Sequence, residues 1–425
     1  MRDASATAIA PIDRVIGQIK AGLEKQAPTH VQRDAHPKMH GCVQAELVVR
    51  AVDPQYAHGL FAKPGTHRAW VRFSNAFENH HDLKNEPRGL AIKVLDVQGE
   101  RVAPVDEENS TQDFILVTYG AFFLRDPNDY LEFLPAVKEG SLSVAWFFLK
   151  RFSRWRGGWA LFRSGAVLAR SPLALEYFSQ TPYKLGSGTV KLKAVPRLTP
   201  ELKRSLPGPI GFVLKRQAAG FVLMLPKLKL AKLLAQIGGW DPTPASAADF
   251  CDRRIAAHDL LRHALMSFLA GHDAWFDLQV QRYTDKKRTP ADDDTKLWKG
   301  SFETVATLRI PRQVFWPESG VPHSVNEAAK QLTELGENMS FNPWHALKAH
   351  EPAGEINKAR RLIYPAIMRF RRSRNGVAAA TVLARQSAPS YEQLRAYVQG
   401  GTVPAVAPGR VPPSVSDYVR GNSNP

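Results

Sequence analysis

In the segment EINKARRLIYPAIMRFRRSRNG, Arg360 and Tyr364 stand four residues apart, so on a helix they share a face. A phenol with a pKa near ~10 is a poor metal ligand while protonated. A guanidinium one turn away favours the phenolate by charge and by hydrogen bonding. A phenolate is a hard anionic ligand that suits ferric iron. Arg371 lies two turns beyond Tyr364 and can reach the same side, where it could meet a carboxylate. The same pattern also fits a basic amphipathic helix with a tyrosine in the core. Near the N-terminus, QRDAHPKMHGC sets Arg33 and His36 ahead of the first β-rich run. An imidazole works as a proton shuttle because its pKa lies near neutral pH. His40, four residues later, competes for that role.

The elements that must carry these residues are legible as patterns. CVQAELVVRAV, HRAWVRFSNA, GLAIKVLDV and DFILVTYGAFFL are β-rich runs between residues 42 and 125, separated by turn signals such as KPGT and VQGE. TPYKLGSGTVKLKAV, WFDLQVQRYTD and FETVATLRIP are further strand candidates. Residues 5–26, DPNDYLEFLPAVKEG with Asp126 as its N-cap, 140–180, 198–236, 243–270, 324–336 and 354–373 have helical character. Strands clustered in the first third and returning near 275–310 predict one antiparallel sheet or barrel with helical insertions, an α+β fold. The tail from residue 400 is rich in Pro, Gly, Ser and Val and reads as loose.

The chain has 425 residues, 57 Lys and Arg against 40 Asp and Glu, and a net charge of +17. Its apolar fraction of 44% excludes a wholly disordered chain. Cys42 and Cys251 are its two cysteines, which excludes a disulfide framework and fits a reducing compartment such as the cytoplasm. No secretory signal and no spanning apolar run are evident. The charge excess is concentrated: residues 138–170, 201–233 and 355–375 each carry seven Lys or Arg and one Glu. A uniformly basic coat for nucleic acid would be spread more evenly, and no nucleic-acid module is present. In the first two segments Lys and Arg are interleaved with Trp, Phe and Leu, as in helices that lie in a membrane interface. Amphipathic helices packed on the core, with their basic stems snorkelling to water, would look similar.

The order of the motifs gives a resemblance. RDAHPK, WVRFSNA, EPRGLAIKV, FFLRDPNDY, SQTPYKLG, WFDLQVQ, ENMSFNPWH and ARRLIY follow one another as comparable segments do in the haem catalase superfamily. FNPWH about twenty residues before the tyrosine, with the Arg-x-x-x-Tyr spacing, is the most specific part. The likeness runs from about residue 30 to about 375 and is nearest to the smaller, divergent catalase-related branch. It implies a catalase-type antiparallel β-barrel binding haem of the b type. The implied layout is an N-terminal helical arm (1–30), a haem barrel with helical insertions near 138–180 and 198–270 (31–320), and a wrapping segment with the proximal helix and a loose tail (321–425).

Residue by residue, the resemblance makes His36 the distal acid/base and Ser74 the partner of its outer ring nitrogen. It pairs Arg33, Arg72 and Arg371 with haem propionates. Tyr364 becomes the iron ligand and Arg360 its activator. Tyr130 falls where the family places a phenylalanine over the haem. The family's distal asparagine is absent, and Thr118 in FILVTYGAFFLRD is its nearest substitute. That departure shifts the expected chemistry from fast hydrogen peroxide disproportionation towards peroxidase action or organic hydroperoxides. The 50 residues after 375 leave no room for the C-terminal flavodoxin-like domain of large catalases. The expected function is peroxide decomposition in oxidative-stress defence. A fatty-acid hydroperoxide isomerase or lyase of allene-oxide-synthase type and a non-catalytic haem-binding, membrane-associated protein are the alternatives. Expected partners are a peroxide or lipid hydroperoxide, a membrane surface at 138–170 and 201–233, and further copies of the chain, with no specific nucleic acid.

Overall fold

A computed structural model describes residues 4–26, 30–76, 82, 86–167, 169–206, 255–386 and 392–400. Nine antiparallel strands form one sheet: β1 (Met39–Val49), β2 (Gly65–Asn75), β3 (Arg88–Val94), β4 (Gln112–Val117), β5 (Tyr177–Phe178), β6 (Tyr183–Leu185), β7 (Gly188–Pro196), β8 (Ala274–Arg282) and β9 (Glu303–Ile310). Their order is β5-β4-β3-β2-β1-β9-β8-β7-β6, and β5 also pairs with β7. β5 and β6 share one edge of β7, as a single strand interrupted at 179–182. The sheet is thus a closed barrel of eight strand positions, which leaves no exposed edge along the ring.

Strand alternation fills the interior. Val43, Ala45, Leu47 and Val49 of β1 face inward, as do Phe276, Leu278 and Val280 of β8. Phe73, Tyr177 and Phe276 meet at ring separations of 6.2–6.3 Å. A filled barrel has no room for a ligand, so chemistry must sit on its outer wall. There the register aligns Arg72, Ala91 and Ile115 in one row and Ser74, Gly89 and Val117 in the next.

Ten helices surround the barrel among the described residues: α1 (Ala4–Gln26), α2 (Asp129–Glu139), α3 (Ser141–Leu149), α4 (Trp155–Gly165), α5 (Pro200–Ser205), α6 (Ile255–Leu269), α7 (His323–Asn338), α8 (Glu355–Arg374), α9 (Ala379–Gln386) and α10 (Glu392–Gln399). α8 carries Arg360, Tyr364 and Arg371. Its Ile363, Ile367 and Phe370 pack against Val15, Ile19 and Leu23 of α1. Asn375 at its end both accepts from Val31 N (2.8 Å) and donates to Val31 O (2.9 Å). The segment leading to Arg33 and His36 is thereby tied to the helix that faces it.

Several sequence expectations need correction. Asp126 does not cap α2, which begins at Asp129; its carboxylate accepts from Asn128 N and tightens the turn before the helix. The helical character of 140–180 ends at Gly165, and Tyr177–Phe178 is the strand that closes the barrel. DFILVTYGAFFL is strand only to Val117, because Tyr119 has a φ of 147° and breaks the extension. Of 198–236 the described part is the short α5, and residues 207–254 lie outside the described residues, with most of the second basic segment and the start of 243–270. The tail beyond 400 lies outside them too.

Candidate active site

The outer barrel wall and α8 enclose a cleft of about 830 Å³ measured out to its open mouth. Arg33, His36, Arg72, Ser74, Tyr364 and Arg371 all line it. On the barrel side Leu90, Ala91 and Ile115 give an apolar floor; on the helix side Ile363, Ile367 and Met368 do the same.

His36 sits on the barrel side in a left-handed conformation, φ 60°. Its N–H bonds Ala76 O (2.9 Å), and Asn75 N bonds Lys38 O (2.9 Å), so two backbone bonds hold the loop against the end of β2. Its Nδ1 lies 3.0 Å from Ser74 Oγ. Burial, then the nearby Arg72 charge, pushes the imidazole pKa down to about 3. The ring is therefore neutral at physiological pH. The imidazole rests directly on β3: a Cβ at Gly89 would stand 2.5 Å from its Cε1 and Nδ1 and 2.8 Å from Ser74 Oγ. Gly89 went unassigned in the sequence, although a glycine inside a strand is the signal of a close approach.

Arg33, Arg72 and Arg371 gather at the C-terminal end of α7. Arg33 Nη2 donates to the carbonyls of Gly336 (3.2 Å), Glu337 (3.0 Å) and Met339, and Arg371 Nη1 donates to Glu337 O. Arg72 Nη2 reaches the Glu337 carboxylate at 3.3 Å. Burial, then repulsion from Arg72 and Arg371, lowers the Arg33 pKa well below its ordinary value. Burial likewise takes Arg371 down to about 10 despite the Glu337 charge. Arg33 Nε and Arg72 Nε are buried with no hydrogen-bond acceptor. This end of the cleft has unused donors and uncompensated positive charge, a setting that favours bound carboxylates.

Arg360 is buried beneath Tyr364. Burial opposes its charge, but the phenols of Tyr364, Tyr130 and Tyr183, with Asp294, outweigh it and raise its pKa. Its Nη1 donates to Thr181 Oγ1 (3.2 Å) and Asn357 Oδ1 (3.3 Å). Arg360, Tyr130 and Thr118 do not line the cleft. Tyr130 packs against Phe122 at 6.5 Å between ring centres, and burial raises its pKa above the ordinary value. Thr118 Oγ1 accepts from Arg88 N at 3.0 Å. His40 is set apart from the cleft: its Nε2 lies 2.7 Å from Asn75 Oδ1 and its Nδ1 3.8 Å from Asp82.

FNPWH contributes through position. Phe341 and the preceding Ser340 line the cleft, whereas His345 is fully buried behind it. His345 Nε2 lies 2.7 Å from Asp106 and Nδ1 2.9 Å from Asp113, which also binds Lys93 (2.9 Å) and Asn342 N (3.0 Å). Burial would raise the Asp106 carboxyl, but the His345 bond and charge hold it at about 2. Burial and Lys93 oppose the charge on His345, and the two carboxylates outweigh them and raise its pKa above 6.5. A depressed carboxyl stabilises the fold above its unfolded pKa and loses that contribution as pH falls through about 2. A raised imidazole stabilises it below about 6.5 and loses that contribution as pH rises through the folded value. Unfolding curves against pH should therefore decline at both ends, and His345→Asn should flatten the alkaline decline. An unchanged alkaline limb would show that His345 carries no proton there.

The residues present fit haem on their own chemistry. The cleft offers a phenol from α8, a neutral imidazole from the barrel, apolar surfaces on both sides and unpaired guanidinium N–H groups for carboxylates.

No family model and no curated protein sequence matches the chain. Among solved structures it is similar to a fungal catalase, with 16% identity over 86% of this chain and 61% of that one and a TM-score of 0.53. It is similar to catalase A from Saccharomyces cerevisiae, with 16% identity over 82% and 62% and a TM-score of 0.52. A bacterial catalase gives 16% identity over 82% and 60% and a TM-score of 0.53. The chain spans about three fifths of the length of these proteins. What the three have in common with it is the course of the backbone through the closed antiparallel barrel and its helices, and the chain therefore has the catalase fold.

Proposed function

We propose that the protein is a haem-dependent peroxidase of catalase type, acting on hydrogen peroxide or an organic hydroperoxide. The observation that carries this reading is the neutral His36, bonded to Ser74 and lining one cleft with Tyr364 and the arginine cluster. When bound, haem iron supplies the redox centre for O–O cleavage. Tyr364 would be the residue to ligate it, with the buried Arg360 one turn away on the same helix. Arg33, Arg72 and Arg371 are the partners for its carboxylates. With Nδ1–H donated to Ser74 Oγ, the His36 lone pair lies on Nε2. That nitrogen can take a proton from one peroxide oxygen and return it to the other.

A second reading, isomerisation or lysis of fatty-acid hydroperoxides, is favoured by the wall around His36. Leu90, Ala91, Ile115 and Leu116 line it, and the Thr118 hydroxyl is engaged by Arg88 N. An apolar wall suits an alkyl substituent on the peroxide. Turnover of hydrogen peroxide compared with a fatty-acid hydroperoxide decides between the two. Oxygen release from the first supports catalase chemistry, and isomerised product from the second supports the alternative. Tyr364→Phe should remove the phenolate character of the ferric Soret spectrum. An unchanged spectrum would show that another residue is the ligand.

A further inference from the structure

Of the twelve large apolar side chains that stand exposed among the described residues, eight lie between Val137 and Phe162. From Leu142 to Phe162 they recur every three or four residues, at 142, 146, 149, 152, 155, 159 and 162. That spacing puts Leu142, Trp146 and Leu149 on one face of α3 and Trp155, Trp159 and Phe162 on one face of α4, with Phe152 in the turn between, and together they form an exposed aromatic stripe. Leu142 is 86% exposed, Phe152 79%, Trp146 66% and Trp159 60%. Neighbouring rings pair with each other on the surface, Phe152 with Trp155 at 4.8 Å and Trp159 with Phe162 at 5.6 Å.

The opposite face of the same helices is already satisfied. Phe147 and Phe148 are buried with Phe133. Arg154 lies 4.0 Å from the Phe147 ring centre and pairs with Asp129 (2.7 Å) and Glu132 (2.9 Å). A Cβ at Gly157 would fall 2.1 Å from Phe123 O, so α4 rests with its backbone on the chain beneath. With that face pinned, the helix pair cannot roll to bury its aromatic stripe.

The margin of the stripe is cationic. Arg151, Arg156 and Arg163 are exposed, and no Asp or Glu occurs from 140 to 170. Arg156 makes no ion pair with the described residues, and Arg163 lies 6.0 Å from the Trp159 ring centre. Tryptophan at headgroup level, leucine and phenylalanine below it and arginine towards phosphate are the chemistry of an interfacial helix. No helix among the described residues is long and apolar enough to cross a membrane, so these helices would lie in the interface plane. Arg151 pairs with Glu132 at 3.1 Å, and it is Arg156 and Arg163, without a carboxylate partner among the described residues, that select a negatively charged surface over a neutral one.

We propose that this stripe docks the protein on the surface of an anionic phospholipid bilayer. The proposal stands apart from the haem reading, since no cleft residue belongs to the stripe.

The test is sedimentation of the full chain with phosphatidylcholine vesicles and with vesicles of equal parts phosphatidylcholine and phosphatidylglycerol. The protein should bind the anionic vesicles at low salt, and brominated lipid should quench its tryptophan fluorescence. Replacing Leu142, Trp146, Phe152 and Trp159 together by serine should weaken partition by on the order of a hundredfold. These side chains are exposed, so circular dichroism should be unchanged. Arg156→Glu with Arg163→Glu should remove the preference for the anionic vesicles. Wild-type protein left in the supernatant at low salt overturns the proposal, as does full binding by the serine variant. A dimer that the serine variant dissociates, without vesicle binding, would assign the stripe to a second copy. Stripe tryptophans shielded from acrylamide before vesicles are added would mean the chain covers the face itself. Either result overturns the proposal.

Discussion

Alanine at Gly89 should abolish peroxide turnover as fully as alanine at His36, a loss of about 10²–10⁴-fold for a general acid/base. The added methyl would stand 2.5 Å from the imidazole Cε1 and Nδ1 and 2.8 Å from Ser74 Oγ. Both neighbours are constrained. Ser74 lies within β2 and is buried, and the His36 backbone is bonded to Ala76 O. The imidazole is the group that must move, and moving it breaks the 3.0 Å contact with Ser74. The arginine cluster and Tyr364 are untouched by either substitution, so both variants should keep cofactor binding. Steady-state turnover beside the Soret spectrum checks this. A Gly89→Ala protein with near wild-type turnover would show that His36 does not work from this position. Loss of turnover in His40→Ala with His36→Ala active would assign the proton shuttle to the other histidine.

Glu108→Ala should destabilise the fold by about 3–5 kcal/mol, the range expected when one partner of a buried ion pair is removed. Glu108 is fully buried and accepts from Arg372 Nη2, Gln386 Nε2 and Ser340 N (3.0 Å), with Lys93 Nζ 3.8 Å away. Its removal leaves the buried Arg372 guanidinium without its carboxylate and frees the start of the segment that brings Phe341 to the cleft. Glu108→Gln keeps an acceptor for Ser340 N and Arg372 and should cost less. Denaturant unfolding of the three proteins gives the comparison. A change under about 1 kcal/mol for the alanine variant would show that water replaces the carboxylate without penalty. Arg371 neighbours Arg372 on α8, so the same variant should also weaken the hold on carboxylates at that end of the cleft.

Much of the fold was visible in the strand runs. Alternating β-branched and aromatic residues specify β1, β2, β3, β7, β8 and β9 almost to their ends, because each buries one face against a filled interior. The closing strand was not visible. Tyr177–Phe178 is two residues long, too short for periodicity, and is extended only because β4 and β7 stand on either side of it. The basic aromatic stretch 141–165 shows the helical period, but sequence cannot say which face a helix buries. Gly157 against Phe123 O decides it.

The sequence by itself determined the residue types and their spacing along the chain: a tyrosine one turn from an arginine, a histidine and an arginine in one short loop, and the alternation that makes a barrel. Those are local properties, set by helix pitch, strand pleat and side-chain chemistry. Only the tertiary structure decided which of two nearby histidines meets the cleft. It turned Thr118 to Arg88 N, left Tyr130 and Arg360 behind the wall, and set Gly89 under the imidazole. The physical reason is sequence distance. His36, Gly89 and Tyr364 are far apart in the chain, and their contacts exist only once the barrel register and the docking of α8 are fixed.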